Sequence, residues 1–170
     1  MNTTESDFKP IATPVLEKYG PLLYRICVSV IHDSYYAEDA VSETLLRYYS
    51  SAPKFRSEVH EKSWLIRVAR NVSIDIVRYR KRHTHVSIET VPEEFLAVSE
   101  NAEESSAILF SLFSLPEIYS TVVWLYYGEK MDTSSIAKTL GISNAAARKR
   151  LSRGRELLKA KYEGRKEGMS

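Results

Sequence analysis

The stretch Asp132–Lys159, DTSSIAKTLGISNAAARKRLSRGRELLK, decides the fold of the C-terminal part of the chain. Asp132 is suited to cap a short helix whose Ile136, Ala137 and Leu140 face inward. Gly141 stands where the chain must turn sharply, a place that favours positive φ. Ile142 then plugs the corner and Ser143 caps a second helix. Small Ala137 lets the two helices approach closely, as a tight helix-turn-helix requires. On the second helix Ala147 and Leu151 fall on the core side. Asn144, Arg148, Lys149, Ser152 and Arg153 remain outside.

The charge of that second helix asks for a partner. Residues 143–166 hold nine Lys or Arg, against Glu156 and Glu163 as the acidic side chains available for i, i+4 pairing. Self-pairing therefore cannot absorb the excess. A helix entering the major groove shows its N-terminal turns to base edges and its flanking cations to phosphates. DNA contact is the reading that fits both the turn and the charge.

Working outward, 170 residues suffice for one large or two small domains, and 44% apolar content is normal for a globular chain. A single cysteine, Cys27, cannot make an internal disulfide, which suits a reducing compartment. The N-terminus, MNTTESDFKPIATP, has neither a basic start nor an apolar run, so no secretory signal is expected. No run of about 18 apolar residues occurs, so membrane insertion is not expected and the cytoplasm is the expected location. The net charge of +2 hides an uneven distribution. Residues 1–82 and 110–170 are basic, at +3 and +5, while residues 83–109 carry six Glu and no Lys or Arg. Two basic lobes flanking an acidic segment suggest one shared polyanionic partner.

The remaining sequence reads as helix almost throughout. Leu22, Leu23, Ile26, Val30 and Ile31 recur at helical spacing between about Pro14 and Ile31, with Gly20 and Pro21 expected to kink that helix or mark its effective start. A second helix from about Ser34 carries Ala37, Val41, Leu45 and Tyr48 on one stripe. Residues 50–62, with Pro53, read as a loop. Ser63 is the expected cap of a helix from Trp64 to about Arg82. Residues 83–103 lose the period and read as a flexible acidic linker. Helix resumes near Glu104, and Ser114, Pro116 and Glu117 have the spacing of a capping box for a helix ending at Gly128.

Three motifs in order then resemble one family. These are AEDAVSETLLRYY at Ala37–Tyr49, WLIRVARNVSIDIVRYRKR at Trp64–Arg82, and SLPEIYSTVVWLYY followed by SSIAKTLGISNAAARKRLSRGR between Ser114 and Arg155. Together they resemble the extracytoplasmic-function sigma factors, small specificity subunits of bacterial RNA polymerase. Ser42 stands where the family pattern has Gln. The resemblance implies an all-α fold of two small helical domains joined by a flexible acidic linker, the second domain a helix-turn-helix. Residues 1–82 would dock core polymerase and bind and melt the start-proximal promoter element. Residues 83–103 would thread the polymerase cleft, and residues 104–170 would bind the upstream element.

The resemblance also implies roles for particular residues. Asp39, Ser42 and Glu43, at i, i+3 and i+4, would form the polymerase-docking face, where no internal cation is clearly matched to the two carboxylates. Arg67, Arg70, Asn71 and Arg78 would meet promoter DNA, and the loop at 50–62 would capture an extruded base. Asn144, Arg148, Lys149, Ser152 and Arg153 would read or grip the upstream element. Trp64 stays open between wedging an opened duplex and packing in a core. Trp124, Tyr126 and Tyr127 read as core.

The implied partners are core RNA polymerase, promoter DNA and an anti-sigma factor, with no cofactor. A stand-alone helix-turn-helix transcriptional regulator would account for the C-terminal half but leave the first two motifs unexplained. An enzyme such as a metal-dependent nuclease lacks a convergent set of catalytic residues, so no catalytic or metal residue is assigned. His83 and His85 have no third ligand.

Overall fold

The computed structural model describes residues 9–51, 53–83 and 102–168. Seven helices run through them: α1 (Lys9–Ile31), α2 (Ser34–Ser51), α3 (Glu58–His83), α4 (Ala102–Phe113), α5 (Glu117–Tyr127), α6 (Thr133–Leu140) and α7 (Asn144–Gly168). No strand occurs among the described residues. Helices α1–α3 form one compact unit and α4–α7 another. The expected linker lies outside the described residues except at its ends, where His83 closes α3 and 102–103 open α4.

In the first unit α1 packs chiefly along α3. Leu23 and Ile26 of α1, Ala37 and Ala40 of α2, and Leu65 and Ile66 of α3 are fully buried. Full burial of such a Leu or Ile contributes about 1.5–3 kcal/mol each. Gly20 and Pro21 do not mark the start of this helix: α1 begins at Lys9 and continues through Pro14 and Pro21. A proline inside a helix loses one backbone hydrogen bond and crowds the carbonyl four residues back. The buried flank of Tyr19, Leu22, Leu23 and Ile26 offsets that cost. Cys27 is buried with its Sγ directed at the Ala69 carbonyl, 3.9 Å away, and burial pushes its thiol up to about 12. The chain leaves α1 through His32, whose φ of 57° lies in the left-handed region, and re-enters helix at Ser34.

Helix α3 starts six residues earlier than its apolar period indicates. Ser57, not Ser63, is the cap: its Oγ accepts from the His60 N–H (3.1 Å) and its carbonyl accepts from the Glu61 N–H (3.1 Å). The first turn carries Glu58 and Glu61, which suit the positive end of the helix dipole. Their contacts are polar, so a search for apolar period starts only at Trp64.

The capping box at Ser114 does not form. Ser114 Oγ donates to the Phe110 and Ser111 carbonyls (2.7 and 3.1 Å), closing α4, while Pro116 holds the N-cap position of α5 without a side-chain cap. The turn after α6 is as expected. Asp132 accepts from the Ser135 N–H (2.7 Å), Gly141 adopts φ 67° and ψ 35°, and Ser143 Oγ accepts from the Ala146 N–H (3.0 Å). The Ser135 backbone N–H holds the Asp132 carboxyl below its ordinary value. This cap is therefore complete above the unfolded value of about 4 and fades as pH falls through the lower folded value.

The second unit is organised by α7, whose Ala147, Leu151 and Gly154 are buried at i, i+4 and i+7. Gly154 marks the closest approach to α5: a Cβ there would lie 2.6 Å from Val123 Cγ2 and 3.5 Å from Tyr119 Cβ. Gly154→Ala is expected to destabilise this unit by about 1–3 kcal/mol through overpacking, offset in part by up to about 1 kcal/mol of better helix propensity. Adding Val123→Ala makes room for the new methyl group. The pair should then cost less in urea denaturation than the two single changes summed. Strict additivity would show that the contact does not set the helix spacing.

Candidate nucleic-acid and polymerase interfaces

The exposed side of α7 is set by the buried side. With Ala147, Leu151 and Gly154 buried, Asn144, Arg148, Lys149, Ser152 and Arg153 all stand exposed. Asn144, Arg148 and Ser152 follow one another at i, i+4 and i+8. No acidic residue stands in the first turn of this helix, so its positive end is left unneutralised there. An open groove of about 600 Å³ runs beside this face, lined by Ile118 and Tyr119 of α5 and by Lys149, Arg150 and Arg153 of α7. Arg153 is less free than its spacing implies, because its Nη1 pairs with Glu156 Oε2 at 2.9 Å. An exposed pair of this kind is worth about 0–1 kcal/mol, so a phosphate can replace it.

Behind this face, Arg155 lies over the rings of Tyr126 and Tyr127, at 5.2 and 5.5 Å. Tyr127 is 49% exposed, which corrects the expectation that it packs in the core. Trp124 and Tyr126 are half-buried.

On α3, Arg67, Asn71 and Arg78 are exposed at i, i+4 and i+11 and share one face. Arg70 is half-buried, so it is less available than the exposed Arg67 and Arg78. Arg80 is drawn onto the Tyr36 ring at 4.2 Å and ties α3 to α2. The last turn of α3 is wholly basic, with Arg80, Lys81, Arg82 and His83 at the negative end of the helix dipole. His83 stacks on Tyr79 with ring centres 4.1 Å apart; His85 lies outside the described residues. Among the described residues no group of three or more His, Cys, Asp or Glu could hold a metal ion.

On α2, Asp39 and Ser42 are exposed and Glu43 is half-buried, on the side away from Ala37, Ala40 and Thr44. The expectation that Glu43 has no internal cation is corrected: Arg47 Nε pairs with Glu43 Oε1 at 2.8 Å. Both side chains are nearly half exposed, so the pair is weak and exchangeable.

One constellation escapes the sequence altogether. Glu61 accepts hydrogen bonds from Tyr19 (3.0 Å) and Tyr48 (2.6 Å), joining α1, α2 and the start of α3. Tyr48 stacks on Phe55 with ring centres 5.8 Å apart, and Trp64 meets both rings edge-on at 6.0 and 5.8 Å. Trp64 thus belongs to a half-buried aromatic cluster beside the loop. These residues have no common spacing, and no local signal connects them.

Comparison with known proteins identifies the frame that carries these faces. Residues 15–83 match the Sigma-70 region 2 family and residues 107–158 the Sigma-70 region 4 family. The ECF RNA polymerase sigma factor SigM of Bacillus subtilis is 32% identical over 157 residues, covering 87% of this chain and 93% of that relative. The chain belongs to the extracytoplasmic-function sigma factors. SigW of the same organism is 27% identical over 159 residues and covers 85% of each chain. The solved structure of the sigma factor RpoE of Bartonella quintana, in complex with the anti-sigma factor NepR, shares the fold. Its TM-score is 0.69 at 22% identity, over 92% of this chain and 97% of that one. As a sigma factor, the protein binds core RNA polymerase and promoter DNA and acts in transcription initiation. The match to region 2 removes the stand-alone regulator, which needs only the helix-turn-helix.

The exposed α7 face yields a discriminating test. In this sigma factor, Arg148→Ala or Lys149→Ala should weaken binding to the upstream promoter element. A residue that reads a base edge should lose about 1–3 kcal/mol and relax specificity at one position. A phosphate contact should weaken all sequences alike and lower the salt slope by about one. Unchanged promoter binding by both variants, with helicity intact, would take DNA recognition away from this face.

Proposed function

We propose that this sigma factor divides its work between its two units. Residues 1–82 dock core polymerase through Asp39, Ser42 and Glu43 and hold the start-proximal promoter element through Arg67, Asn71, Arg78 and the loop before α3. Residues 104–170 take the upstream element on α7, and the acidic residues 83–103 connect the two. The protein makes no bond itself; it supplies the binding energy for promoter choice and strand opening, and polymerase carries out the chemistry. The observation that carries this reading is the exposed row Asn144, Arg148 and Ser152, opposite the buried row Ala147, Leu151 and Gly154 on one helix. That arrangement leaves polar and cationic side chains at the helix start with no core to fill.

The structure of RpoE with NepR supports a further part of the reading, that an anti-sigma factor holds this chain in reserve. No helix of the described residues is long and apolar enough to cross a membrane. We place the protein in the cytoplasm, where polymerase and promoters are.

Run-off transcription tests the whole proposal. Core polymerase with this protein should start at a defined set of genomic promoters that core alone ignores, and the absence of any such start would refute it. The docking face has its own test. Asp39→Lys with Glu43→Lys should abolish co-elution with core polymerase. The fold should persist, because the buried side of α2 is untouched and only the weak Glu43–Arg47 pair is lost. Co-elution at wild-type affinity would remove the docking role from this face.

A further inference from the structure

Glu61 is an unexpected residue to find at the junction of three helices. An apolar side chain would pack between Tyr19 and Tyr48 without desolvating a carboxylate, and an acidic group beside a loop that meets DNA repels phosphate. Its hydrogen bonds account for its presence. The Tyr48 bond, at 2.6 Å, has the length of a strong hydroxyl-to-carboxylate bond, and Tyr19 satisfies the second oxygen at 3.0 Å. Burial and Glu61 together push the Tyr48 hydroxyl up to about 12, so it remains a donor throughout the physiological range. Tyr19 is raised in the same sense, first by burial. The Lys18–Glu58 pair, at 3.1 Å, adds a weaker exposed tie between α1 and α3.

These bonds act on the loop through Tyr48. Residues 53–57 contain no helix, so Phe55 is placed by its ring contacts. Its face stacks on Tyr48 at 17° between planes, and its edges meet Trp64 and His60. His60 is itself oriented, with Nδ1 accepting from the Arg56 N–H at 3.4 Å. Phe55, Tyr48 and Trp64 are only half-buried, while Lys54 and Arg56 beside them are exposed. This composition places part-exposed ring surface beside two exposed cations. It suits an unpaired nucleotide, with the base stacked and the phosphate outside.

We propose that Glu61 is a positioning residue for strand opening: through Tyr19 and Tyr48 it presets the Tyr48, Phe55 and Trp64 rings as a platform on which one unpaired promoter base stacks. This inference rests on the functional reading above and deepens it. Without the clasp the Tyr48 ring is free to turn, Phe55 loses its stacking partner, and the platform must be assembled after the base arrives. Preorganisation lowers that ordering cost before binding.

The test uses holoenzyme reconstituted from core polymerase and the full chain, with three variants: Glu61→Ala, Glu61→Gln and Tyr48→Phe. Affinity is measured on a promoter carrying an unpaired bubble, and again with an abasic site at each non-template position of the bubble in turn. Wild-type holoenzyme should lose about tenfold in affinity at one abasic position, the magnitude of one stacked base. Glu61→Ala should bind the intact bubble about tenfold more weakly and lose nothing further at that position, with core polymerase binding unchanged. Glu61→Gln, whose amide oxygen accepts one tyrosine hydroxyl, should keep part of the abasic penalty. Tyr48→Phe, which keeps the ring and removes only the donor, should behave as Glu61→Ala and serves if that variant does not fold. A full abasic penalty in both Glu61→Gln and Tyr48→Phe overturns the proposal, as does an equal loss at every position. If wild-type holoenzyme starts no promoter-dependent transcript, the functional reading itself falls.

Discussion

The second unit depends on one close approach. Where Gly154 of α7 faces Val123 of α5, there is no room for a methyl group between the helices. That contact fixes the rotation of α7 about its own axis. Leu151 and Ala147 continue the buried line one and two turns earlier. Once those three positions are buried, the helical period leaves Asn144, Arg148, Lys149 and Ser152 facing outward. The Gly141 turn fixes the other end, because its left-handed backbone sends the chain from α6 into α7 within three residues. Packing density and one backbone angle thus decide which cations can meet DNA.

Those cations are not all equally available. Arg153 pairs with Glu156, Arg47 with Glu43, and Arg80 and Arg155 rest on tyrosine rings. Such contacts hold long side chains in place while remaining weak enough to exchange. Association with a polyanion releases counterions and favours each new phosphate contact. The surface can therefore be ordered in the free protein and still surrender its internal partners to a nucleic acid or to polymerase. A half-buried guanidinium such as Arg70 is the exception, since it must first be uncovered.

The first unit uses a different device. Its helices are joined by an apolar core, and at one end by a carboxylate shared between two tyrosines. The apolar core is insensitive to direction, whereas the shared carboxylate holds each ring at a defined angle. A loop that must present ring surface needs that second kind of order. The unbroken passage of α1 through two prolines shows how far the apolar term dominates elsewhere in the unit.

Much was legible in the residues themselves, for a physical reason in each case. Helical period marks buried stripes because 3.6 residues make a turn, and it correctly placed Leu23, Ile26, Ala37, Ala147 and Leu151. Gly141, Asp132 and Ser143 act through their own backbone or their nearest neighbours, so their roles follow from local sequence. The misreadings arose where a distant partner decides. Ser57 rather than Ser63 starts α3, because Lys18, Tyr19 and Tyr48 hold its first turn from other helices. Ser114 turns back to close α4 instead of capping α5, because Pro116 already occupies the cap. Glu61 looks in sequence like any surface glutamate. The sequence alone determined the helices, the turn and the cationic face, which depend on spacing along one chain segment. Only the tertiary structure decided the Gly154–Val123 approach and the tyrosine clasp, because contacts between residues 13, 31 and 42 positions apart on different helices leave no period to read.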